Sequence, residues 1–360
     1  MHLLKIAFTL CWLSTAIYSS GQQAACFRQA GGNVTFDGSG ALNEYNGYCV
    51  GELHGVKGTP EIKLALIKYL HREHGVRAVF IETGIAAAYL YNRYLQTGDT
   101  TLITKPALVY AQHEPAREFW RQLYIYNKGL KDKLTIYGMD FERMEFLKVM
   151  KLLMRKGGKV PAEIAPAIDY IMSVTVADVN SDSLIDVYDR IKSSFQYNRD
   201  AYKEYMGTAT FEIAEQVLLN ANTSNKFAQR NRYMQQYIST TLQKERLGRF
   251  VVFAGMNHVS KADDGSLYSR LVQKMPGRKL VSIAMTCMNC YDRQLKPGQR
   301  LAPFRGPYAY EPDSVQFKGV YSRYFDSRCK YVMIPAAVTG NSLAGSYSDY
   351  IVLMKDQGEY

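Results

Sequence analysis

The chain reads as an α/β protein with a mainly parallel central sheet flanked by helices and carrying a helical insertion. Short apolar, β-branched runs end in Gly, Asn or Asp, helical patterns alternate with them, and residues 145–246 hold no convincing strand. Runs that are apolar on both faces suit strands buried between two helix layers. With 360 residues, 47% hydrophobic and 21% charged, the chain is long enough for one large α/β domain with an insertion, and it is not a disordered protein.

The elements follow in order. The opening MHLLKIAFTLCWLSTAIYSSGQQ has a basic start (His2, Lys5), an apolar run from Ile6 to Ile17, and the small residues Ser19, Ser20 and Gly21. This predicts a cleaved secretory leader over 1–21 and a periplasmic or secreted mature chain beginning at Gln22. The run falls short of the roughly 20 residues that span a bilayer. No later run reaches that length, so no transmembrane segment is expected. Tyr48–Gly51 is the first candidate strand. It leads into EIKLALIKYLHREHG, with Ile62, Leu66, Tyr69 and Leu70 on one helical face and Gly75 as a stop. Ala78–Ile81 follows, completing a strand, helix, strand unit of a parallel sheet. Leu134–Tyr137 is the third strand. Residues 145–246 then form the insertion, dividing the core into 22–144 and 247–360. The remaining candidates are Phe250–Ala254, Leu280–Met285, Tyr331–Ile334 and Tyr350–Leu353. Residues 291–330, rich in Tyr, Pro, Gly and Arg, read as a long irregular lid or surface wrap.

Export favours disulfides. Five cysteines follow the leader, Cys26, Cys49, Cys287, Cys290 and Cys329, and an odd number leaves at least one unpaired or intermolecular. Cys287-Met-Asn-Cys290 has redox or half-zinc-site spacing, yet no second CxxC or nearby histidine completes a metal site. A local disulfide or two buried thiols is the simpler reading. The net charge of +11 favours contact with anionic surfaces. With no Lys/Arg tract and no nucleic-acid-binding motif, nucleic acid is not an expected partner.

In open α/β sheets ligands bind beyond the carboxyl ends of the strands. After the first run come Glu52 and His54 (VGELHG); after the second, Glu82 (IETG); after the third, Asp140 (YGMD); after the fourth, Asn257 and His258 (AGMNH). Each has an ordinary structural reading: Glu82 as a first-turn acid, Asp140 as an N-cap, His258 as a core histidine. Together, at one edge and with two of only six histidines, they form a candidate functional cluster. In an extended segment, a spacing of two puts Glu52 and His54 on one face. Gly51 and Gly55 would let the backbone turn and present both. In FAQRNRYMQQYISTTL, Arg230 shares a face with Phe227, Met234, Tyr237 and Thr241, where a guanidinium needs a carboxylate partner or an anionic ligand. GxSxG, HExxH and P-loop patterns are missing. A histidine beside a carboxylate can activate water. Alternatively, His54, Glu52 and His258 could hold a divalent metal that does so. The residues alone leave both open.

The ordered series GELHG, IETG with YNRYLQTGD, YGMDFE, RNRYMQQYI and VVFAGMNHVSK, over residues 48–261, resembles the erythromycin esterase-like family. The resemblance implies an α/β fold with a helical insertion and ester hydrolysis by a histidine-activated water; the family's known esterases open a macrolide lactone ring. Glu52 and His54 match the family's first acid and histidine. Lys63 stands where a basic residue follows that histidine, Arg230 matches the helix-motif arginine, and His258 matches the second histidine of the late strand. The chain departs from the esterases in three places. One residue, not two, separates Glu52 from His54, and this GExH spacing is similar to the distantly related haem-binding lipoprotein and TraB/TIKI peptidase branch. Gly255 replaces a histidine, and Asn231 replaces an acid. The expectation is therefore an exported hydrolase of an ester or amide in a small-molecule or peptide substrate, needing no cofactor. Its catalytic set would be Glu52, His54, Glu82 and His258. His54 would be the base and Glu52 its orienting partner. His258 with Asn257 would serve the oxyanion, and Lys63, Asp140 and Arg230 would bind substrate. A metal-dependent peptidase and a non-catalytic haem or porphyrin binder are the alternatives.

Overall fold

In a computed structural model of the chain, the residues described are 24–31, 33–38, 40–104, 114–143, 145–155, 159–175, 181–220, 227–288, 329–339 and 342–355. The expected leader over 1–21, Cys290 and nearly all of the 291–330 loop lie outside them.

Nine strands among these residues join in one sheet. A hairpin of β1 (Ala25–Ala30) and β2 (Asn33–Asp37) opens the chain. Then come β3 (Gly47–Glu52), α1 (Gly58–His74), β4 (Ala78–Ile81), α2 (Ile85–Thr97), α3 (Glu114–Lys128) and β5 (Thr135–Gly138). Six helices separate β5 from the next strand: α4 (Glu145–Met154), α5 (Ala165–Ser173), α6 (Ser181–Tyr197), α7 (Arg199–Met206), α8 (Thr208–Asn220) and α9 (Phe227–Lys244). The chain continues through β6 (Phe250–Gly255), α10 (Leu267–Lys274), β7 (Leu280–Met288), β8 (Tyr331–Pro335), α11 (Ser342–Tyr347) and β9 (Tyr350–Lys355).

Across the sheet the order is β2-β1-β8-β9-β7-β3-β6-β4-β5. The strands from β9 to β5 run parallel, while β8, β1 and β2 extend the sheet antiparallel. All seven apolar runs form strands, and the fold is α/β with helices on both faces. The hairpin β1–β2 was not foreseen. It lies at the sheet edge, where β2 buries only alternate residues, Val34 and Phe36. Cys26 in β1 is disulfide-bonded to Cys329 beside β8, which fastens this edge across a separation of 303 residues. Cys287 is also disulfide-bonded, and Cys49 is free and buried.

Alternation along the central strands explains their continuous apolarity. Tyr48, Val50, Val79, Val251 and Phe253 face one hydrophobic cluster, which α1 to α8 share. Cys49, Phe80, Val252 and Ala254 face the other, covered by Met234, Ile238 and Leu242 of α9 and by α10. Gly75 ends α1 as predicted, in the left-handed conformation at φ 66°, and its N–H donates to the His71 carbonyl. The register pairs Glu52 with Gly255, and Ile81 with both Phe253 and Gly138. The four strands β3, β6, β4 and β5 therefore end at one edge, and the residues that follow them meet there.

Candidate active site

Glu82 is the centre of the site. Its Oε2 accepts the Gly255 N–H at 2.6 Å and lies 3.6 Å from His54 Nε2. Its Oε1 accepts from Arg230 Nη2 at 2.7 Å and lies 3.3 Å from His258 Nε2. Burial opposes ionisation of Glu82, but the contacts with His258 and His54 outweigh it and hold the carboxyl well below the usual carboxylate range. It is therefore a fixed anion between two imidazoles, an arginine and a backbone amide.

His54 stands in a turn after β3, with 46% of its side chain exposed. Contact with Glu82 raises its pKa above the ordinary 6.5; burial opposes this, and the charges of Glu52 and Glu82 add to it. Glu52 is not its orienting neighbour. The strand ends at Glu52, so the alternation that would align the two side chains stops there, and Glu52 Oε1 pairs with Lys63 Nζ of α1 at 2.7 Å. The glycines also divide their tasks differently from the expectation. Gly55 makes the turn, at φ 80°. Gly51 instead admits the turn that carries His258, because a Cβ there would meet Val259 Cγ2 at 2.5 Å and Met256 Cα at 3.0 Å.

His258 lies in the 3-10 turn Met256–Val259 and is buried. Its Nδ1 faces Asn231 Oδ1 at 2.5 Å. The Asn231 amide nitrogen donates to the Gly265 carbonyl at 2.9 Å, which fixes the oxygen toward the ring. Both ring nitrogens therefore face oxygens, Asn231 Oδ1 on one side and Glu82 Oε1 on the other. Asn257, expected beside His258, is exposed on the same turn. Met256, His258 and Val259 of this turn are buried, and Asn257 alone faces solvent. The amide that reaches His258 comes instead from α9.

Arg230 and Asp140 hold each other. Asp140, 1% exposed, accepts from Arg230 Nε at 3.1 Å and from Nη2 at 2.6 Å. The guanidinium thereby ties α9 to the ends of β4 and β5, and the side chain is only 16% exposed. Asp140 caps no helix, since α4 begins at Glu145. The adjacent Glu142 supplies the cap missing at Gly84: both of its oxygens face the Ala86 N–H at 3.2 Å, and Oε1 accepts from Asn220 Nδ2 at 2.7 Å. Burial pushes Glu142 up to about 8, against these hydrogen bonds. In the unfolded chain the same acid ionises near 4.5. Its stabilising contribution is therefore complete below that value and is lost as the pH rises through about 8. Denaturation midpoints measured near about pH 5 and about pH 9 should show this decline in the native protein, and Glu142→Gln should flatten it.

A cavity of about 190 Å³ opens beside His54, Glu82, Glu52 and Lys63. Its further walls include Val56, Tyr91, Phe119, Trp120 and Arg143. Tyr91 and Trp120 stack at 3.8 Å. Arg143, Phe119 and Trp120 were not singled out in the sequence, and Tyr91 entered it only as the first residue of the YNRYLQTGD motif, with no role assigned. Arg230, Asp140, Asn257 and His258 are not lining residues. The expected metal set of Glu52, His54 and His258 does not fit an ion: Lys63 occupies Glu52, and both nitrogens of His258 are engaged. Among the described residues no three His, Cys, Asp or Glu side chains gather in a metal-binding arrangement. No helix among them is long and apolar enough to cross a membrane.

Comparison with known proteins gives the fold its context. A histidine-to-asparagine mutant of the erythromycin esterase EreC, in its open conformation, superposes with a TM-score of 0.61 at 13% identity, over 92% of this chain and 97% of that one. A succinoglycan biosynthesis protein matches with a TM-score of 0.55 at 16% identity, over 87% and 88%. A Bacillus cereus protein gives 0.53 at 16% identity, with the same coverage. No curated protein sequence matches the chain. The sequence profile of erythromycin esterase matches residues 71–289. On that match, with the fold agreeing, the chain belongs to the erythromycin esterase family.

Proposed function

We propose that the protein hydrolyses an ester, or an amide, with a water activated by His54. The observation that carries this reading is the half-exposed His54 at the cavity, held by a carboxylate that the surrounding donors keep ionised. His54 takes a proton from the water as the oxygen attacks the carbonyl carbon, and Glu82 stabilises the imidazolium that forms. Lys63, on the cavity wall, supplies positive charge to the oxyanion. The proton then passes from His54 to the departing alkoxide or amine, leaving an acid and an alcohol or amine. His258 and Arg230 act one step back, by fixing Glu82, and Asp140 fixes Arg230. Export is part of the proposal. It is supported by the leader-like opening and by the Cys26–Cys329 disulfide, a bond that persists in oxidising compartments.

The purified mature protein should turn over p-nitrophenyl esters of short acids, at a rate unchanged by chelator. Loss of turnover on chelation, with recovery on adding manganese or cobalt, would replace this reading with the metallopeptidase. No turnover together with a Soret band on haem addition would replace it with the porphyrin binder.

A further inference from the structure

The cavity also indicates what kind of molecule it takes. Of its acids, Glu52 and Glu82 are 10% and 12% exposed, and Asp140 behind them is 1% exposed. Of its cations, Lys63 is 15% exposed, whereas the Arg143 side chain is 35% exposed on the wall. A ligand entering therefore meets Arg143 and the His54 ring before it meets a carboxylate. Arg143 is held in place by Phe141, whose ring lies 5.1 Å from the guanidinium carbon, and by Asp140 Oδ2 at 3.9 Å from Nη2. Asp140 is gripped bidentately and at shorter range by Arg230, so Arg143 is its second and more distant partner. Apart from Thr59 and Thr83, the rest of the wall is apolar and includes Leu53, Val56, Pro60, Tyr91, Phe119 and Trp120. A largely apolar pocket with one partly exposed guanidinium at its side suits a planar, two-oxygen anion on a hydrophobic body.

We infer that Arg143 is a specificity-determining residue that binds a carboxylate on the substrate, so that the preferred substrates are esters or amides of apolar, carboxylate-bearing molecules. This rests on the hydrolase reading for the reaction, but not for the binding. Isothermal titration of the full-length mature protein with 3-phenylpropanoate and with its neutral isostere 3-phenylpropanamide tests it without any turnover. At neutral pH the acid should bind about tenfold tighter than the amide, the size of one charge-assisted pairing. Arg143→Gln should bring the acid down to the affinity of the amide, while leaving the amide within about twofold of its native value. Arg143→Lys should keep part of the preference and so controls for folding. Equal affinity for the two ligands in the native protein, absent binding of the acid, a preference that survives Arg143→Gln, or equal weakening of both ligands would each overturn the assignment. If the acid binds as expected but no ester is hydrolysed, the catalytic reading fails and the binding site stands. If esters are hydrolysed with no preference for anionic ones, the reverse holds.

Discussion

Glu82→Gln is expected to lower kcat/KM for a responsive ester by about 10³-fold or more, the scale of losing the carboxylate that orients a catalytic histidine. The reason is geometric as well as electrostatic. Both oxygens of Glu82 face donors, Gly255 N–H and His54 on one side, Arg230 and His258 on the other. A glutamine offers one oxygen and one NH₂, so whichever way the amide turns, its nitrogen meets a donor. His54 then loses either its anionic partner or its orientation, and its pKa falls back toward the ordinary value. Glu52→Gln provides the contrast, because Glu52 is paired with Lys63. That change should cost less in kcat than Glu82→Gln. Steady-state kinetics on the two variants, side by side, decide which acid serves His54; a larger loss at Glu52 would restore the pairing expected from GELHG.

Arg230→Met is expected to destabilise the fold by about 3–5 kcal/mol, because it strands a buried carboxylate without its partner. Asp140 would lose two charge-assisted hydrogen bonds at 1% exposure, and Glu82 would lose one. Urea denaturation reads the change as a lower midpoint at unchanged slope. Arg230→Lys should recover only part of the loss, since a single ammonium cannot span the three oxygens that the guanidinium fork reaches. Adding Asp140→Asn to Arg230→Met should cost less than the sum of the two single changes, because the stranded charge is gone. A loss under about 1 kcal/mol for Arg230→Met would show the pair to be solvent-screened rather than structural.

The sheet was legible in the sequence because buried strands advertise themselves as continuous apolar runs, and the seven runs became β3 to β9, all parallel except β8. The edge hairpin was not, since a five-residue strand with alternate burial, such as β2, differs little from a polar loop. That the candidate residues share one sheet edge was legible for a topological reason. Parallel strands deliver whatever follows them to one edge, so Glu52, His54, Glu82, Asp140 and His258 could be named together. Their pairing was not. It depends on where a strand stops, which separated Glu52 from His54, and on which face of a short turn points inward, which exchanged Asn257 for Asn231. It depends also on a helix returning over the edge, with Arg230 reaching an acid 90 residues earlier. No local pattern records such a contact, although an arginine on an apolar helical face announced that a partner must exist. Gly255 proves to be the close approach itself: a Cβ there would lie 3.0 Å from His54 Nε2 and 3.4 Å from Glu82 Oε2.

The central claim is that the base is an imidazole raised by Glu82. The pH dependence of kcat/KM for an uncharged p-nitrophenyl ester tests it most directly. His54 must be neutral to accept a proton, and contact with Glu82 holds its pKa above 6.5. Activity should therefore fall, as the pH is lowered, through a single ionisation lying above 6.5. An acidic limb at about pH 4–5, in the carboxylate range, would place the base on a glutamate and contradict the account.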